Sequence, residues 1–179
     1  TSRTITNTAD STWHHIAAVY DRSLQKMRLY IDGIAGSDTD ASTLSTNNID
    51  TATALTFGGR AAAHNYEGQL DEIKIYNSSL TAEEIKLDMN RGSAQVLGTL
   101  SDTSQLAGGS VASSSAQAAY CVPGDSTSCA APIGEWNFEE GTGTTANDNS
   151  GNANTGTLRN GPLWKSGKIG KGLYFDGSN

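Results

Sequence analysis

Two adjacent histidines are the first candidates for chemistry in this sequence. His14 and His15 stand in a strand-like run, so one is expected to face a core and the other solvent. Neither a Gly-x-Ser-x-Gly motif nor a Cys/His pair accompanies them, so no nucleophile is provided for a histidine base. We interpret both histidines as structural.

Two pairs of adjacent carboxylates are the second candidates. Glu139/Glu140 and Asp71/Glu72 have the residue types of a glycosidase, which needs two acids facing one sugar. Neighbours on a strand point to opposite faces, so neither pair can do this alone. We therefore predict that the chain is not an enzyme.

The composition narrows the range of partners. The chain has 179 residues, of which 36% are hydrophobic, and a formal net charge of −7. Lys and Arg do not cluster, so nucleic acid is not an expected partner. No apolar run approaches the roughly 20 residues that cross a bilayer, so membrane insertion is not expected. The sequence starts without Met or a signal-peptide core, and we expect its natural beginning to lie outside it.

Strand patterns dominate the first ninety residues. The runs from Trp13 to Tyr20 and from Lys26 to Ile31 predict a hairpin, and Asp32-Gly33 predicts a turn after it. The run from Gln69 to Tyr76 predicts one further strand. Strict alternation along that strand would place Asp71 on the inward face.

A single helix is predicted directly after these strands. Thr81 and Glu84 form the sequence signature of a capping box, which predicts a helix from about Ala82 to Asn90. Gly92 is placed to terminate it.

A polar linker is predicted next. Residues 93–132 are rich in Ser, Ala and Gly and lack the apolar content to offset their ordering entropy. Cys121 and Cys129 flank a short stretch with Pro and Gly, and a local disulfide in an oxidising compartment fits best. Two unpaired thiols in a cytosolic linker are the alternative. Strand signals resume in residues 133–179.

Two parts of the chain resemble the laminin-G-like, concanavalin A-like jelly-roll domains of bacterial surface proteins. The first part carries Trp13-His14-His15-Ile16-Ala17-Ala18-Val19-Tyr20-Asp21, Leu29-Tyr30-Ile31-Asp32-Gly33 and Gln69-Leu70-Asp71-Glu72-Ile73-Lys74-Ile75-Tyr76. The second carries Trp136-Asn137-Phe138-Glu139-Glu140-Gly141 and Gly172-Leu173-Tyr174-Phe175-Asp176-Gly177. Residues 1–92 resemble the C-terminal half of such a domain, and residues 133–179 the N-terminal half of a second one. We hypothesise a parent protein with tandem copies.

The resemblance implies an all-β fold. We expect an incomplete antiparallel jelly-roll β-sandwich, with one short helix after the last strand of the first half. It also implies that the strand near Trp136 lies beside the strand from Leu70 to Tyr76. Because the middle strands of the domain are missing, we expect open sheet edges and association between chains through them.

A structural calcium ion is a further implication of the resemblance. Many domains of this type hold one between the last strand and the early part of the chain. The resemblance assigns Asp71 as its carboxylate ligand, with Asp176, Gly177 and Glu140 near it. The alternative is that Asp71 caps turn amides or pairs with a lysine.

These observations predict a non-catalytic module for extracellular recognition or adhesion. Its partner would be a glycan or an extracellular protein, and its location secreted or on a cell surface. Trp164 and Tyr66, in loop-like surroundings, are the candidate ligand-binding aromatics. The alternatives are a structural spacer repeat, or an accessory module of a glycoside hydrolase or protease.

Overall fold

The computed structural model describes residues 10–44, 54–60, 64–90 and 131–178. Gly92 and the predicted disulfide between Cys121 and Cys129 lie outside these residues. The chain divides into two compact units. Unit 1 comprises Thr1–Ser42 and Ser79–Ala130, and unit 2 comprises Thr43–Ser78 and Ala131–Asn179.

The described part of unit 1 is a small antiparallel sheet. Its strands are β1 (Ile16–Asp21), β2 (Lys26–Ile31), β3 (Ile34–Ala35) and β4 (Thr39–Asp40), and a 3-10 turn, Ser42–Leu44, follows at its boundary. β2 pairs with each of the other three strands. The predicted hairpin is confirmed, with Ile16 opposite Ile31 and Asp21 opposite Lys26.

The turn at Asp32-Gly33 is also confirmed. Both residues have positive φ, 51° and 71°, which is the conformation of a two-residue type I′ connection between β2 and β3. The Asp32 amide donates to the His15 carbonyl at 2.8 Å. Asp and Gly tolerate this left-handed geometry better than other residues.

The predicted helix is α1 (Ala82–Met89), capped at its C-terminal end by Asn90. Its capping box is confirmed: the Glu84 amide donates to Thr81 Oγ1 at 3.2 Å, and the Thr81 amide donates to Glu84 Oε2 at 2.6 Å. Ile85 is 1% exposed, the most buried large side chain among the described residues. The local cap therefore sets the start of the helix, and Ile85 anchors it.

Unit 2 is built from short antiparallel strands. They are β5 (Gly59–Arg60), β6 (His64–Asn65), β7 (Glu67–Leu70), β8 (Ile73–Ile75), β9 (Gly134–Trp136), β10 (Thr145–Ala146), β11 (Gly156–Thr157), β12 (Leu163–Ser166) and β13 (Lys171–Asp176). They form a three-stranded sheet in the order β12-β13-β7 and the pairs β8-β9, β5-β6 and β10-β11. The described chain is thus mostly β and antiparallel with one helix, consistent with an incomplete β-sandwich.

Strands from the two ends of the sequence meet in unit 2. In the β8-β9 pair, Ile73 lies opposite Trp136 and Ile75 opposite Gly134. In the β13-β7 pair, Leu173 lies opposite Leu70. The expectation that the strand near Trp136 lies beside the strand after Leu70 is therefore confirmed.

The prediction of one continuous strand from Gln69 to Tyr76 is wrong. The chain breaks between β7 and β8, and Glu72 takes a left-handed φ of 53°. The break has a tertiary cause, because β7 pairs with β13 whereas β8 pairs with β9. Strands that change sheets do so through such a bend. Alternation does not carry across it, so Asp71 does not share a face with Ile73 and Ile75 by sequence spacing alone.

The core of unit 2 is aromatic and incompletely filled. Its buried members are Trp136, Phe138, Ala146, Leu173 and Phe175. Partly buried Phe57, Leu70, Ile73 and Ile75 pack against them. A cavity of about 910 Å³ is lined by this core, including Phe57, Trp136 and Phe175. This pocket is partly open to solvent and has both apolar and polar walls.

A carboxylate organises the loop that follows β9. Asp148 Oδ1 accepts from the amides of Glu135 and Ser150, each at 2.9 Å, and Oδ2 accepts from the Asn154 amide at 2.8 Å. Burial raises the pKa of Asp148, but these amides and the Ser150 hydroxyl outweigh it and hold the pKa well below its usual range. The sequence stretch around Asp148 therefore forms an Asx turn that ties the loop to β9.

This geometry predicts an acid-sensitive contribution to stability. A carboxyl whose pKa is lowered by folding stabilises the protein above its unfolded pKa of about 3.9 and loses that effect as the pH falls through the folded value. We expect Asp148→Asn to lower the urea midpoint clearly at pH 7 and less at pH 3, where part of this stabilisation is already lost. Urea titrations at both pH values test this, with Glu83→Gln on the exposed first turn of α1 as the control, which should change the midpoint little at either pH. An equal loss at both pH values would contradict it.

Candidate functional site

Asp71 lies against the loop that joins β12 to β13. Its Oδ2 accepts from the Ile169 amide at 2.9 Å. Glu139 Oε2 accepts from the Lys171 amide at 3.2 Å, at the start of β13 directly after this loop. The Gly167 amide closes this loop on the Gly170 carbonyl at 3.1 Å. We name Asp71, Glu139 and the loop from Gly167 to Gly170 the carboxylate clamp.

The clamp confirms that Asp71 accepts turn amides, the alternative considered for it. Glu139 was not predicted to accept a backbone amide near Asp71, because it reaches this part of the chain only through tertiary folding. The loop is glycine-rich for a steric reason. A Cβ at Gly167 would approach Asp71 Oδ2, and one at Gly170, where φ is 56°, would overlap the Glu139 carboxylate.

The electrostatics of Asp71 are unfavourable in the absence of a cation. Burial raises the pKa of Asp71 above its usual range, and the charge of Glu139 raises this pKa further. The amides of Ile169, Glu72 and Lys168 only partly offset these effects. Its second oxygen, Oδ1, is buried and accepts no hydrogen bond. A cation beside Oδ1 would offset the cost of burying the charged Asp71 carboxylate and its repulsion by Glu139.

Glu140 has a similar arrangement. Its Oε1 accepts from the Asn147 amide at 2.6 Å, while its Oε2 is buried and has no hydrogen-bond donor. Within the described residues, however, no three His, Cys, Asp or Glu side chains come together as a metal would need. A calcium ion at Asp71 would therefore depend on backbone carbonyls or water for most of its ligands, which calcium accepts.

Asp176 and Gly177 do not lie at the clamp, which corrects the predicted ligand set. The register pairs Asp176 with Glu67, at the far end of β13 from Gly172, the neighbour of Asp71. Four residues of strand separate the two positions by about 13 Å. The Asp176 carboxylate instead accepts from the amide of Ser178 at 2.9 Å and from its hydroxyl at 2.6 Å.

Tyr66 and two carboxylates lie near that far end. Tyr66 precedes Glu67 in the chain, and the residue is 42% exposed. Its ring and that of Phe175 pack edge to face, with centroids 6.2 Å apart, and its hydroxyl donates to the Gln69 carbonyl at 3.1 Å. Glu67 and Asp176 lie directly opposite each other across β7 and β13. Alternation along β13 puts these two carboxylates on the other face of the sheet from Phe175, on which Tyr66 packs. We name the exposed part of Tyr66 the Tyr66 patch.

This end of β13 has the chemistry of a binding surface more than that of a catalytic pair. Glycosidases use one carboxyl of raised pKa as the acid. The hydroxyl and amide of Ser178 lower the pKa of Asp176, which keeps this carboxyl ionised. The exposed part of Tyr66 offers a ligand an apolar surface instead.

Trp164 does not lie in a loop and does not offer a free ring. It belongs to β12, opposite Leu173, and packs against the core of unit 2. Its indole Nε1 donates to the Gly143 carbonyl at 2.9 Å. The prediction that Trp164 is a ligand-binding aromatic is not supported by this position. Alternation in β12 turns Leu163, 57% exposed, to the outside instead.

Tyr174 is an aromatic residue on the outer face of the three-stranded sheet. It lies opposite Leu163 on one side and Gln69 on the other. The Lys165 ammonium sits 3.5 Å from the centre of its ring. This cation occupies one face of Tyr174, so Tyr66 is the more accessible platform for a ligand.

A hydrogen-bonded chain in unit 1 has the residue types of a nucleophile, base and acid. Thr12 Oγ1 lies 3.1 Å from His14 Nε2, and His14 Nδ1 lies 2.8 Å from Asp32 Oδ2. Asp10 Oδ1 also contacts His14 Nε2, at 3.0 Å. The hydrogen bond to Asp32, and then the one to Asp10, raises the pKa of His14 and favours its protonated form. A protonated imidazole does not take a proton from Thr12. These hydrogen bonds therefore serve to fix the start of β1 to the turn after β2.

Comparison with known proteins agrees with this geometry. The described chain is mostly β, with antiparallel strands and one helix, which is consistent with an incomplete β-sandwich. Residues 2–86 match the family model described as the concanavalin A-like lectin/glucanases superfamily, in its laminin-G-like branch. This part of the chain is therefore a laminin-G-like segment. No curated protein and no solved structure matches the chain.

The family match ends before residues 133–179, so the resemblance of that segment stays a prediction, and its strand pairing with β7 and β8 supports it. Laminin-G-like domains are generally non-catalytic binding modules and are typically extracellular. In the part of the chain that the structure describes, no helix combines the length and apolar character needed to cross a membrane.

Proposed function

We propose that this chain is a non-catalytic extracellular recognition module whose ligand is a carbohydrate. The observation that carries the proposal is the match of residues 2–86 to a lectin-containing superfamily. The Tyr66 patch supports it, because a partly exposed aromatic side chain suits a ligand with an apolar face.

Glycan-array screening of the full chain, followed by calorimetry with the best glycan, tests this proposal. We expect Tyr66→Ala to weaken binding about tenfold, which corresponds to the ~1.4 kcal/mol that a stacked ring supplies. Tyr174→Ala is the matched control, since Lys165 covers that ring, and it should leave the affinity unchanged. Tyr66→Phe should bind nearly as well as the wild type.

The possible outcomes separate the alternatives. Glycan binding that survives Tyr66→Ala would place the site elsewhere. Binding to an extracellular protein but to no glycan would make the module an adhesion domain. Failure to bind either ligand would favour a structural spacer repeat. A catalytic domain in the same reading frame would favour an accessory module of a glycoside hydrolase or protease.

We also propose that calcium stabilises the module at Asp71, with Glu140 as a further ligand. Bound there, the ion would compensate the buried negative charge of the carboxylate clamp. The support is the buried, unbonded Oδ1 of Asp71 and the buried, unbonded Oε2 of Glu140. The local disulfide between Cys121 and Cys129 and secretion of the chain remain proposals that fit an extracellular role.

Calcium dependence gives a direct prediction. We expect calcium to raise the Tm of the wild type relative to chelator, and Asp71→Ala to abolish the difference. Glu83→Gln, a change on the exposed first turn of α1, should keep the full difference. Calorimetric scans of the three proteins in calcium and in chelator check this. Equal Tm values for the wild type in both conditions would remove calcium from the proposal.

A further inference from the structure

Unit 2 is assembled from two pieces of sequence that are far apart. One piece, which we name the acceptor segment, contains residues 54–60 and 64–78 with strands β5 to β8. The other, the donor segment, contains residues 131–178 with strands β9 to β13. Residues 79–130 separate the two segments along the chain and belong to unit 1.

The segments hold each other through a specific interface. Two antiparallel strand pairs, β8-β9 and β7-β13, cross it. All five buried residues of the core belong to the donor segment, while Phe57, Leu70, Ile73 and Ile75 of the acceptor segment cover them. Neither segment keeps its apolar face covered without the other.

Polar groups in the interface also favour this strand register. Asp71 of the acceptor segment accepts from the Ile169 amide of the donor segment. Lys74 lies opposite Glu135, with their charged atoms 3.9 Å apart and 7% and 13% of their side chains exposed. A largely buried pair of opposite charge leaves an uncompensated charge in any other register, so it favours this one.

We propose that the donor segment of one chain pairs with the acceptor segment of a second copy, through the same registers that unit 2 forms within one chain. Every contact across the interface joins two segments and none requires that they share a backbone. The partner is therefore a second copy of this chain, recognised by strands β7 and β8. Residues of both segments line a partly open pocket of about 910 Å³, so part of their shared interface borders solvent.

Concentration decides between the two arrangements. A segment tethered in the same chain competes at an effective concentration on the order of millimolar for a short flexible connection, and less for a longer one. Exchange is thus favoured where chains are crowded or displayed side by side. Donor and acceptor are different surfaces, so the contact is head-to-tail and yields either a closed swapped dimer or an open array of chains.

Complementation between two defective full chains tests the proposal. Ile73→Asp damages the acceptor segment and Leu173→Asp damages the donor segment, because both side chains belong to the core of unit 2. Each variant alone should lose the near-ultraviolet circular dichroism of Trp136. Mixed, the two should form a heterodimer with one intact unit 2 and regain up to half of the wild-type signal.

A matched control mixes two donor variants, Leu173→Asp and Phe175→Asp. This mixture has no intact donor, so neither the signal nor the heterodimer should appear. The proposal is overturned if the complementary pair behaves as the sum of its separate members in circular dichroism and in light scattering.

A second measurement uses wild-type chains and does not depend on the folding of variants. Light and isotopically heavy chains are refolded together at high concentration and treated with a carbodiimide, which joins Lys74 to Glu135. Mass spectrometry should find crosslinked peptides that combine one light and one heavy partner. Crosslinks only between like isotopes would overturn the proposal. Neither test involves a glycan or calcium, so its outcome is independent of the proposed function.

Discussion

Replacing Trp136 with alanine is expected to lower the free energy of unfolding of unit 2 by about 3–5 kcal/mol. Trp136 is 6% exposed, its ring meets Phe57 edge-on at 5.2 Å, and its Nε1 donates to the Asn154 carbonyl at 3.0 Å. It also lies opposite Ile73 in the pair that joins the two ends of the sequence. The substitution removes core contacts, an aromatic pair and a hydrogen bond together.

The loss is comparable to the whole stability of many domains, which is about 5–15 kcal/mol. Urea titration followed by near-ultraviolet circular dichroism measures it. Trp13→Ala, in unit 1, is the control and should leave the unit 2 transition in place. Trp136→Phe keeps an aromatic ring and should recover part of the loss. A change below about 1 kcal/mol for Trp136→Ala would contradict the described core.

Replacing Gly58 with alanine is expected to destabilise unit 2 by about 2–5 kcal/mol. Two effects add. Gly58 has a φ of 80°, a conformation that costs an L-residue roughly 1–2 kcal/mol. A Cβ there would also overlap the ring of Phe175, which is 7% exposed and fixed in the core.

A second glycine separates the two effects. Gly151 has a similar φ of 87°, but a Cβ at this position would meet nothing within 4 Å. Gly151→Ala should therefore show the backbone cost alone, about 1–2 kcal/mol. The difference between the two variants in urea titration measures the clash with Phe175. Equal losses would mean that the Phe175 ring moves aside freely.

The sequence predicted features that depend on neighbours in the chain. The capping box of Thr81 and Glu84 and the Asp32-Gly33 turn formed as expected, because each is decided within a few residues. The hairpin of β1 and β2 also formed, since its strands are joined by a short loop. Local geometry and side-chain type were sufficient for these elements.

Parts of the candidate site could not be predicted in this way. Nothing in the sequence indicated that Glu139 lies near Asp71, because only the folding of the chain between β12 and β13 brings the amides of Ile169 and Lys171 to these two carboxylates. The predicted calcium ligands Asp71, Asp176 and Gly177 do not lie together in the structure, for a similar reason. The register of β7 against β13 places Asp176 at the other end of the strand.

By itself, the sequence determined a mostly β chain with a capped helix. It also indicated the resemblance of residues 1–92 to laminin-G-like domains, which the family match of residues 2–86 supports. Only the tertiary structure decided where the strand after Leu70 breaks, that Trp164 turns inward, and that Tyr66 stays exposed. Periodicity and capping act over a few residues, whereas register between distant strands is set by how two apolar faces cover each other. The register between these strands is therefore set only when the chain folds, because the segments separated by residues 79–130 must first meet.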